Sequence, residues 1–200
     1  MSITRQLNEI VAERSLLYHP FYQAWSAGTL PLEDLRTYAR EYGAFIEMLP
    51  RAWETLKDAE TSQEEVEHAE LWGEFAAALG TRVNGSAHLA EVSDLTATAA
   101  RLFADPASAA GALYAFEVQQ PATAKSKLEG LKLHYKLPTS VEPYFALHSH
   151  NEHEAAKLLG RIEAMSAEDR QRSARACTEM ADALWNALSG IYGTERMKDC

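Results

Sequence analysis

Residues 109–117 read AAGALYAFE, an apolar run that ends in a single carboxylate. The run is too apolar for a solvent-facing surface, and Pro106 just before it suits the first turn of a helix. We predict that this helix passes through Pro121 and continues to about Tyr135. A buried helix of this kind needs other helices packed around it.

The rest of the chain shows the same helical periodicity, and no segment alternates in the manner of a strand. No repeat or linker divides the 200 residues, which are enough for one sizeable core. We therefore predict an all-α fold, a single domain spanning residues 1–200. Its architecture should be a bundle of about seven to eight helices.

Prolines and polar clusters set the other expected helix boundaries. One long helix should pass through Pro50 with a kink. Thr61 or Ser62 should cap the next helix. After a break at residues 137–140, one continuous helix should reach about Met165.

The composition excludes several classes of partner. The chain is 46% apolar and 24% charged, as in ordinary globular proteins, and its net charge is −10. Nucleic acids and anionic membranes select basic patches, so neither is an expected partner. Two cysteines form no disulfide framework, and there is neither a signal core nor a run of roughly 20 apolar residues. We expect a cytoplasmic protein.

Ionisable residues recur on three segments that otherwise indicate buried helix, namely EEVEH at 64–68, YAFE at 114–117 and HSHNEH at 148–153. Burying a lone charge costs several kcal/mol or more, and a metal ion would offset that cost for several groups together. Carboxylates and imidazoles from separate helices of a bundle are the ligands of non-heme di-iron sites. We therefore ask whether the three segments meet around iron.

The first two segments offer Glu65, His68 and Glu117. Glu65 and His68 are three residues apart, so they share a helix face in the Glu-x-x-His spacing of carboxylate-bridged iron bundles. The alternative for them is a solvated acidic face with His68 at its edge. Pro121 removes the helical partner of the Glu117 carbonyl, so a kink would open the helix beside this carboxylate. The alternative for Glu117 is a buried carboxylate paired with Lys or Tyr.

The third segment offers His148 and Glu152, which are four residues apart and share a face of a continuous helix. His153 lies about 140° around that helix from His148 and does not suit the same ion. For His150 and His153 a surface position is favoured. The next stacked position is Ala155, which is no ligand.

Other polar groups are candidates for lining a pocket. Tyr22, Tyr38, Tyr42 and Tyr144 fall on otherwise apolar faces, and Lys127 follows ten residues after Glu117. Aromatic residues at helical spacing are more often core than function, although a tyrosine beside iron can also supply a radical or a proton. Neither cysteine has an evident histidine partner, so no nucleophile stands out.

The chain resembles the heme-oxygenase-like superfamily that includes TenA, PqqC and CADD. The resemblance begins with residues 19–30 and 38–42. Three further segments, HAELW at 68–72, LYAFE at 113–117 and YFALH at 144–148, look most like the CADD-like branch, as does KLEGL at 127–131. These segments occur in the expected order over most of the chain.

The resemblance implies an oxygen-dependent oxidoreductase, an oxidase or oxygenase. It implies a dinuclear metal centre, of iron or of manganese and iron, and dioxygen as co-substrate. It implies that His68, Glu117 and His148 are ligands and that Glu152 stands where the family has Asp. The substrate would be a small metabolite or the protein's own tyrosine, with para-aminobenzoate for folate synthesis as the product in CADD-like members. A homodimer is implied as well.

The same resemblance assigns three residues to chemistry. Tyr22 matches the sacrificed tyrosine, Lys127 the proposed amino donor and Tyr144 a nearby aromatic position. Two family ligands are replaced, a glutamate by Thr61 and a histidine by Ala155. Glu65 is one substitute for the missing carboxylate, and His153 would replace the imidazole only in a distorted helix.

Two rival functions stay open at this point. Missing ligands favour a metal-free enzyme like TenA or PqqC, in which Glu117 or a histidine acts as acid or base on a bound heterocycle. A TenA-type hydrolase would want a nucleophilic cysteine, for which neither Cys177 nor Cys200 looks placed. A non-enzymatic interaction protein is the third hypothesis, with no sequence feature in its support.

Overall fold

The computed structural model describes residues 2–197, without the side chains of residues 194 and 195. Every regular element in that range is helical, which confirms the all-α prediction. The helices are α1 (Ile3–Glu13), α2 (Pro20–Ser26), α3 (Leu32–Ile46), α4 (Leu49–Thr55), α5 (Ala59–Ala78), α6 (Ala90–Leu102), α7 (Pro106–Glu117), α8 (Gln120–His134), α9 (Pro143–His148), α10 (His153–Glu163), α11 (Ala167–Tyr192) and α12 (Thr194–Met197). None of the described helices is both long enough and apolar enough to cross a membrane.

Prolines account for two helix ends that the sequence did not predict. Pro50 lies in the first turn of α4 and Pro121 in the first turn of α8. Proline lacks an N–H, so it is tolerated in the first turn of a helix and disfavoured inside one. The predicted kink at Pro50 is a full break after Ile46, and α7 ends at Glu117 without continuing through Pro121.

Helix α5 begins earlier than predicted. Asp58 is its N-cap residue, and the Asp58 carboxylate accepts a hydrogen bond from the Thr61 N–H at 3.2 Å. Thr61 and Ser62 therefore lie inside the helix, because an aspartate caps a helix as well as either of them. The helix ends before Gly80, whose φ of +75° suits a residue without a side chain.

The helix predicted to reach Met165 without interruption is two helices, α9 and α10, separated by residues 149–152. The Ser149 hydroxyl donates to the Ala146 carbonyl at 2.8 Å. A serine side chain competes with helical hydrogen bonds for backbone groups, which weakens the helix here. Because of this break, His148 and Glu152 do not share a helix face, although they are four residues apart.

Helix α7 lies in the centre of the bundle, as its apolar sequence predicts. It is buried from Ala109 to Glu117 and packs most extensively along α11. A Cβ atom at Gly111 would overlap the Ser173 carbonyl oxygen of α11, so only glycine permits this close approach. Tight packing on all sides holds the carboxylate of Glu117 inside the protein.

Candidate metal centre

Four helices bring ionisable side chains into the middle of the bundle. Helix α5 contributes Glu65 and His68, α7 contributes Glu117, α9 contributes His148 and α10 contributes Glu154. All five side chains are buried, with between 1% and 7% of their surface exposed. The three segments singled out in the sequence therefore lie together.

The first group of side chains that could hold a metal ion consists of Glu65, His68 and His148. Each offers one ligand atom, and these atoms lie within 4.8 Å of one another. His68 Nδ1 is 3.1 Å from Glu65 Oε1, and the rings of His68 and His148 are 4.5 Å apart. Burial alone would lower the pKa of His68, but the hydrogen bond with Glu65 and the nearby carboxylates raise it above its ordinary value.

The second group consists of Glu65, Glu117 and Glu154, again with ligand atoms within 4.8 Å of one another. Burial, followed by the negative charges of Glu154 and Glu65, raises the pKa of Glu117 well above its ordinary range. Glu65 belongs to both groups and lies between them. Its carboxylate has two oxygens, so one side chain can serve two neighbouring cation positions.

His148 is oriented as metal-binding histidines usually are. Its Nδ1 lies 2.8 Å from the Tyr144 carbonyl oxygen, so Nδ1 carries the proton and Nε2 keeps its lone pair. Burial, followed by the charge of His68, lowers the pKa of His148 to about 3. The imidazole is therefore neutral near pH 7, which is the form that binds metals.

Two buried oxygens at the centre fit a bound cation. Within residues 2–197, Glu117 Oε1 and Glu154 Oε1 have no hydrogen-bond partner. An unpaired buried carboxylate oxygen is costly, and three carboxylates crowd together here. A divalent ion would satisfy these oxygens, and mixed carboxylate and imidazole donors suit iron and manganese.

The structure does not place every predicted residue at the centre. Glu152, His150 and His153 are exposed, and Glu152 belongs to neither buried group because the helix break turns it outward. Glu154, two residues later, occupies the buried position. The exposed position of Glu152 does not match the ligand role predicted for it, whereas the surface positions expected for His150 and His153 are confirmed.

A threonine stands where the family resemblance predicts a carboxylate, and a lysine lies beside it. Thr61 is fully buried, and Lys157 Nζ donates to its hydroxyl at 2.6 Å and lies 3.3 Å from Asp58 Oδ2. Glu65 follows Thr61 by one helical turn and lies on the same face of α5. The carboxylate is thus displaced by one turn along α5, while Ala155 offers no ligand.

A second polar cluster, of Tyr22, Tyr38 and Lys127, is buried in the same bundle. The two tyrosine hydroxyls are 3.1 Å apart, and Lys127 Nζ lies 3.2 Å from the Tyr38 hydroxyl and 3.5 Å from the Tyr22 hydroxyl. Burial lowers the pKa of Lys127 to about 7 and raises the pKa of both tyrosines. Near neutral pH a large fraction of the Lys127 amine is therefore uncharged.

Tyr144 lies between this cluster and the metal-ligating groups. Its ring stacks on the His148 ring at 4.2 Å and meets the Trp72 ring at 4.8 Å. Its hydroxyl accepts a hydrogen bond from Gln120 Nε2 at 3.2 Å. Burial, followed by the charges of Glu65 and Glu117, raises its pKa.

Cys177 is not placed for nucleophilic catalysis. It is fully buried in α11, and burial raises the pKa of its thiol to about 12. A thiol with so high a pKa is a poor nucleophile. Cys200 lies outside the described residues.

Comparison with known proteins agrees with a metal centre of this kind. A family model described as iron-containing redox enzyme matches residues 40–185, most of the chain and all five buried ligand candidates. The chain belongs to the iron-containing redox enzyme family. The oxidoreductase class predicted from the sequence is confirmed by this membership.

Relatives of this iron-containing redox enzyme are similar over nearly their whole length. A 4-aminobenzoate synthase from Nitrosomonas europaea is 32% identical over 224 residues, covering 94% of this chain and 90% of that protein. A 4-aminobenzoate synthase from Chlamydia pneumoniae is 28% identical over 224 residues, covering 97% and 96%.

A solved structure confirms the predicted fold family. A domain of unknown function with a heme oxygenase-like fold from Shewanella denitrificans superposes with a TM-score of 0.81 at 14% identity. The superposition covers all of this chain and 95% of that one.

Sequence reasoning missed Glu154 and Gln120. The signal for Glu154 was its place in the acidic and histidine-rich segment at 148–154, but periodicity across an assumed continuous helix directed attention to Glu152. Gln120 directly precedes Pro121 at the break between α7 and α8 and is buried, but no sequence signal marks it.

Proposed function

We propose that this iron-containing redox enzyme holds a dinuclear centre and uses dioxygen to make 4-aminobenzoate from its own Tyr22, with Lys127 as the amino donor. The observation that carries the proposal is the shared position of Glu65 between two groups of buried ligands. The relatives named 4-aminobenzoate synthase support the choice of product.

The proposed ligands divide into two sets. Glu65, His68 and His148 would hold one ion, and Glu65, Glu117 and Glu154 the other. A bound iron pair, or a manganese and iron pair, supplies redox chemistry with dioxygen. The surrounding helices bury all five residues.

The cluster of Tyr22, Tyr38 and Lys127 supports a role for the chain's own side chains in the reaction. The uncharged Lys127 amine lies within 3.5 Å of the Tyr22 hydroxyl, and its nitrogen has the lone pair that an amino donor needs. Tyr38 accepts a hydrogen bond from the same amine and holds it beside Tyr22. Tyr144, stacked on His148, is the aromatic residue between the two sites.

Isotope labelling and mass spectrometry test this function. We expect protein labelled with ¹⁵N-lysine, supplied with iron, a reductant and dioxygen, to release ¹⁵N-labelled 4-aminobenzoate. The peptide that contains Tyr22 should lose the mass of the tyrosine side chain. Unlabelled product, or more product than protein chains, would refute the self-sacrificing reaction and indicate an external substrate.

A matched pair of variants separates the role of Tyr22 from that of any buried tyrosine. Tyr22→Phe should release no product, whereas Tyr42→Phe should release the wild-type amount. Tyr42 is equally buried, but its hydroxyl has no hydrogen-bond partner among the described residues, so its removal disturbs little. Equal product from both variants would remove Tyr22 from the reaction.

Two further expectations stay predictions. The prediction of a homodimer is based on the family resemblance, and sedimentation equilibrium would measure the oligomeric state. The cytoplasmic location rests on the composition and on cysteine usage, and fractionation of the source cells measures it.

A further inference from the structure

An acidic groove opens beside the proposed centre. It has a volume of about 840 Å³ and runs along α5 on one side and the segment from α9 to α10 on the other. One wall carries four carboxylates spaced at successive turns of α5, namely Glu64, Glu67, Glu70 and Glu74. Such a cleft concentrates cations from solution.

The floor of the groove reaches two of the proposed ligands, His68 and Glu154. Glu154 is only 1% exposed, yet its Oε1 has no hydrogen-bond partner among the described residues. A buried, unpaired carboxylate oxygen in the floor of an acidic cleft indicates a cation at that point.

A third group of ligating atoms lies at the same place. Glu64, His153 and Glu154 offer atoms within 4.8 Å of one another. Glu64 is half-buried and His153 is exposed, so an ion can reach them from solvent. Glu154 also belongs to the buried group with Glu65 and Glu117.

We propose that Glu64, His153 and Glu154 form an entry site, which takes a divalent cation such as Fe²⁺ from solvent and passes it to the buried centre. The inference rests on the proposed metal centre. Glu154 belongs to both groups, so the ion exchanges Glu64 and His153 for Glu65 and Glu117 while it stays bound to the Glu154 carboxylate. Two carboxylates and one imidazole suit Fe²⁺ and Mn²⁺.

The entry site accounts for Glu64 and His153, which the buried centre does not use. His153 begins α10 immediately before Glu154, and Glu64 precedes Glu65 on α5. Each entry residue is therefore the chain neighbour of a buried ligand. The ion moves a short distance between the two groups.

The test is the rate at which metal-free protein takes up Fe²⁺ under anaerobic conditions, followed by the loss of Fe²⁺ available to a chromogenic chelator. We expect Glu64→Gln and His153→Gln each to slow uptake about tenfold. Elemental analysis at equilibrium should show that both variants still fill the buried centre. Glu67→Gln and His150→Gln are the matched controls, because they make the same changes on the same groove.

The outcomes distinguish the entry site from the centre itself. Slower uptake in Glu64→Gln and His153→Gln than in their controls, with equal final iron, supports the entry site. Equal uptake rates in all four variants overturn the entry site and leave the buried centre standing. Wild-type protein that binds no iron overturns both.

Discussion

Replacing Glu117 with glutamine should abolish iron binding at the second group and leave the metal-free protein at least as stable as the wild type. Glu117 shares a pocket with Glu65 and Glu154, with ligand atoms within 4.8 Å of one another. Two ionised carboxylates with oxygens no more than 4.8 Å apart repel by about 3.5 kcal/mol or more at an effective dielectric constant near 20. The raised pKa of Glu117 shows that protonation relieves part of this repulsion.

Glutamine keeps the size of the side chain and cannot ionise, so the repulsion of Glu117 by Glu65 and Glu154 is removed at every pH. Its amide N–H can donate to Oε1 of Glu154, a hydrogen bond worth about 1 kcal/mol. We therefore expect the free energy of unfolding of metal-free Glu117→Gln to equal or exceed that of the wild type by about 1 kcal/mol.

Added iron should stabilise the folded wild type more than it stabilises Glu117→Gln. A ligand at a free concentration 100 times its dissociation constant stabilises the folded state by about 2.7 kcal/mol. For a chain of this length, that gain raises the melting temperature by about 5–10 °C. Glu117→Gln should lose most of this increase.

Urea unfolding with and without Fe²⁺, under anaerobic conditions, measures both effects. Glu41→Gln is the matched control, because Glu41 is also buried but accepts hydrogen bonds from the His88 and Leu89 N–H groups at 2.7 and 3.1 Å. This control should lose about 2 kcal/mol and keep its response to iron. The reasoning is refuted if Glu117→Gln loses stability as Glu41→Gln does and still gains stability from iron.

Three more predictions concern pH, packing and the buried amine. Burial opposes ionisation of Glu41, but backbone N–H donors lower its pKa below the ordinary 4.5. The wild type should therefore exceed Glu41→Gln in free energy of unfolding by the full amount above pH 4.5, and this difference should shrink as the pH falls. Urea unfolding from about pH 3 to 7 measures the difference. Gly111→Ala should lose about 2–3 kcal/mol in the same assay, because its Cβ would overlap Ser173. Gly160→Ala should lose none, because among the described residues no atom lies within 4 Å of the added Cβ. Lys127→Met should match or exceed wild-type stability, since a buried amine is costly, and mass spectrometry should detect no 4-aminobenzoate.

The sequence contained enough to predict most of the proposed metal ligands. The shared helix face of Glu65 and His68 follows from their spacing of three residues within α5. Glu117 follows an apolar run that indicates a buried helix, although the predicted continuation of that helix through Pro121 was wrong. These inferences are local, so they needed no tertiary information.

Glu154 could not be predicted in the same way. Its position depends on the break at residues 149–152, and no proline or glycine marks that break. A continuous helix would bring Glu152 under His148, whereas the observed turn brings Glu154 inward. Ser149 weakens the helix locally, but this signal does not indicate which of two glutamates two residues apart turns inward.

The approach of Lys127 to Tyr22 is also a tertiary feature. The two residues are 105 positions apart, and no sequence pattern reports a contact at that separation. The family resemblance suggested the pair, and the packing of α2 against α8 places them together.

Iron content of two glutamate variants tests the central claim most directly. Elemental analysis of anaerobically loaded protein should find an iron pair in the wild type and in Glu152→Gln, and a loss of iron in Glu154→Gln. Retention of iron by Glu154→Gln together with its loss from Glu152→Gln, or a wild-type protein without iron, would contradict the account.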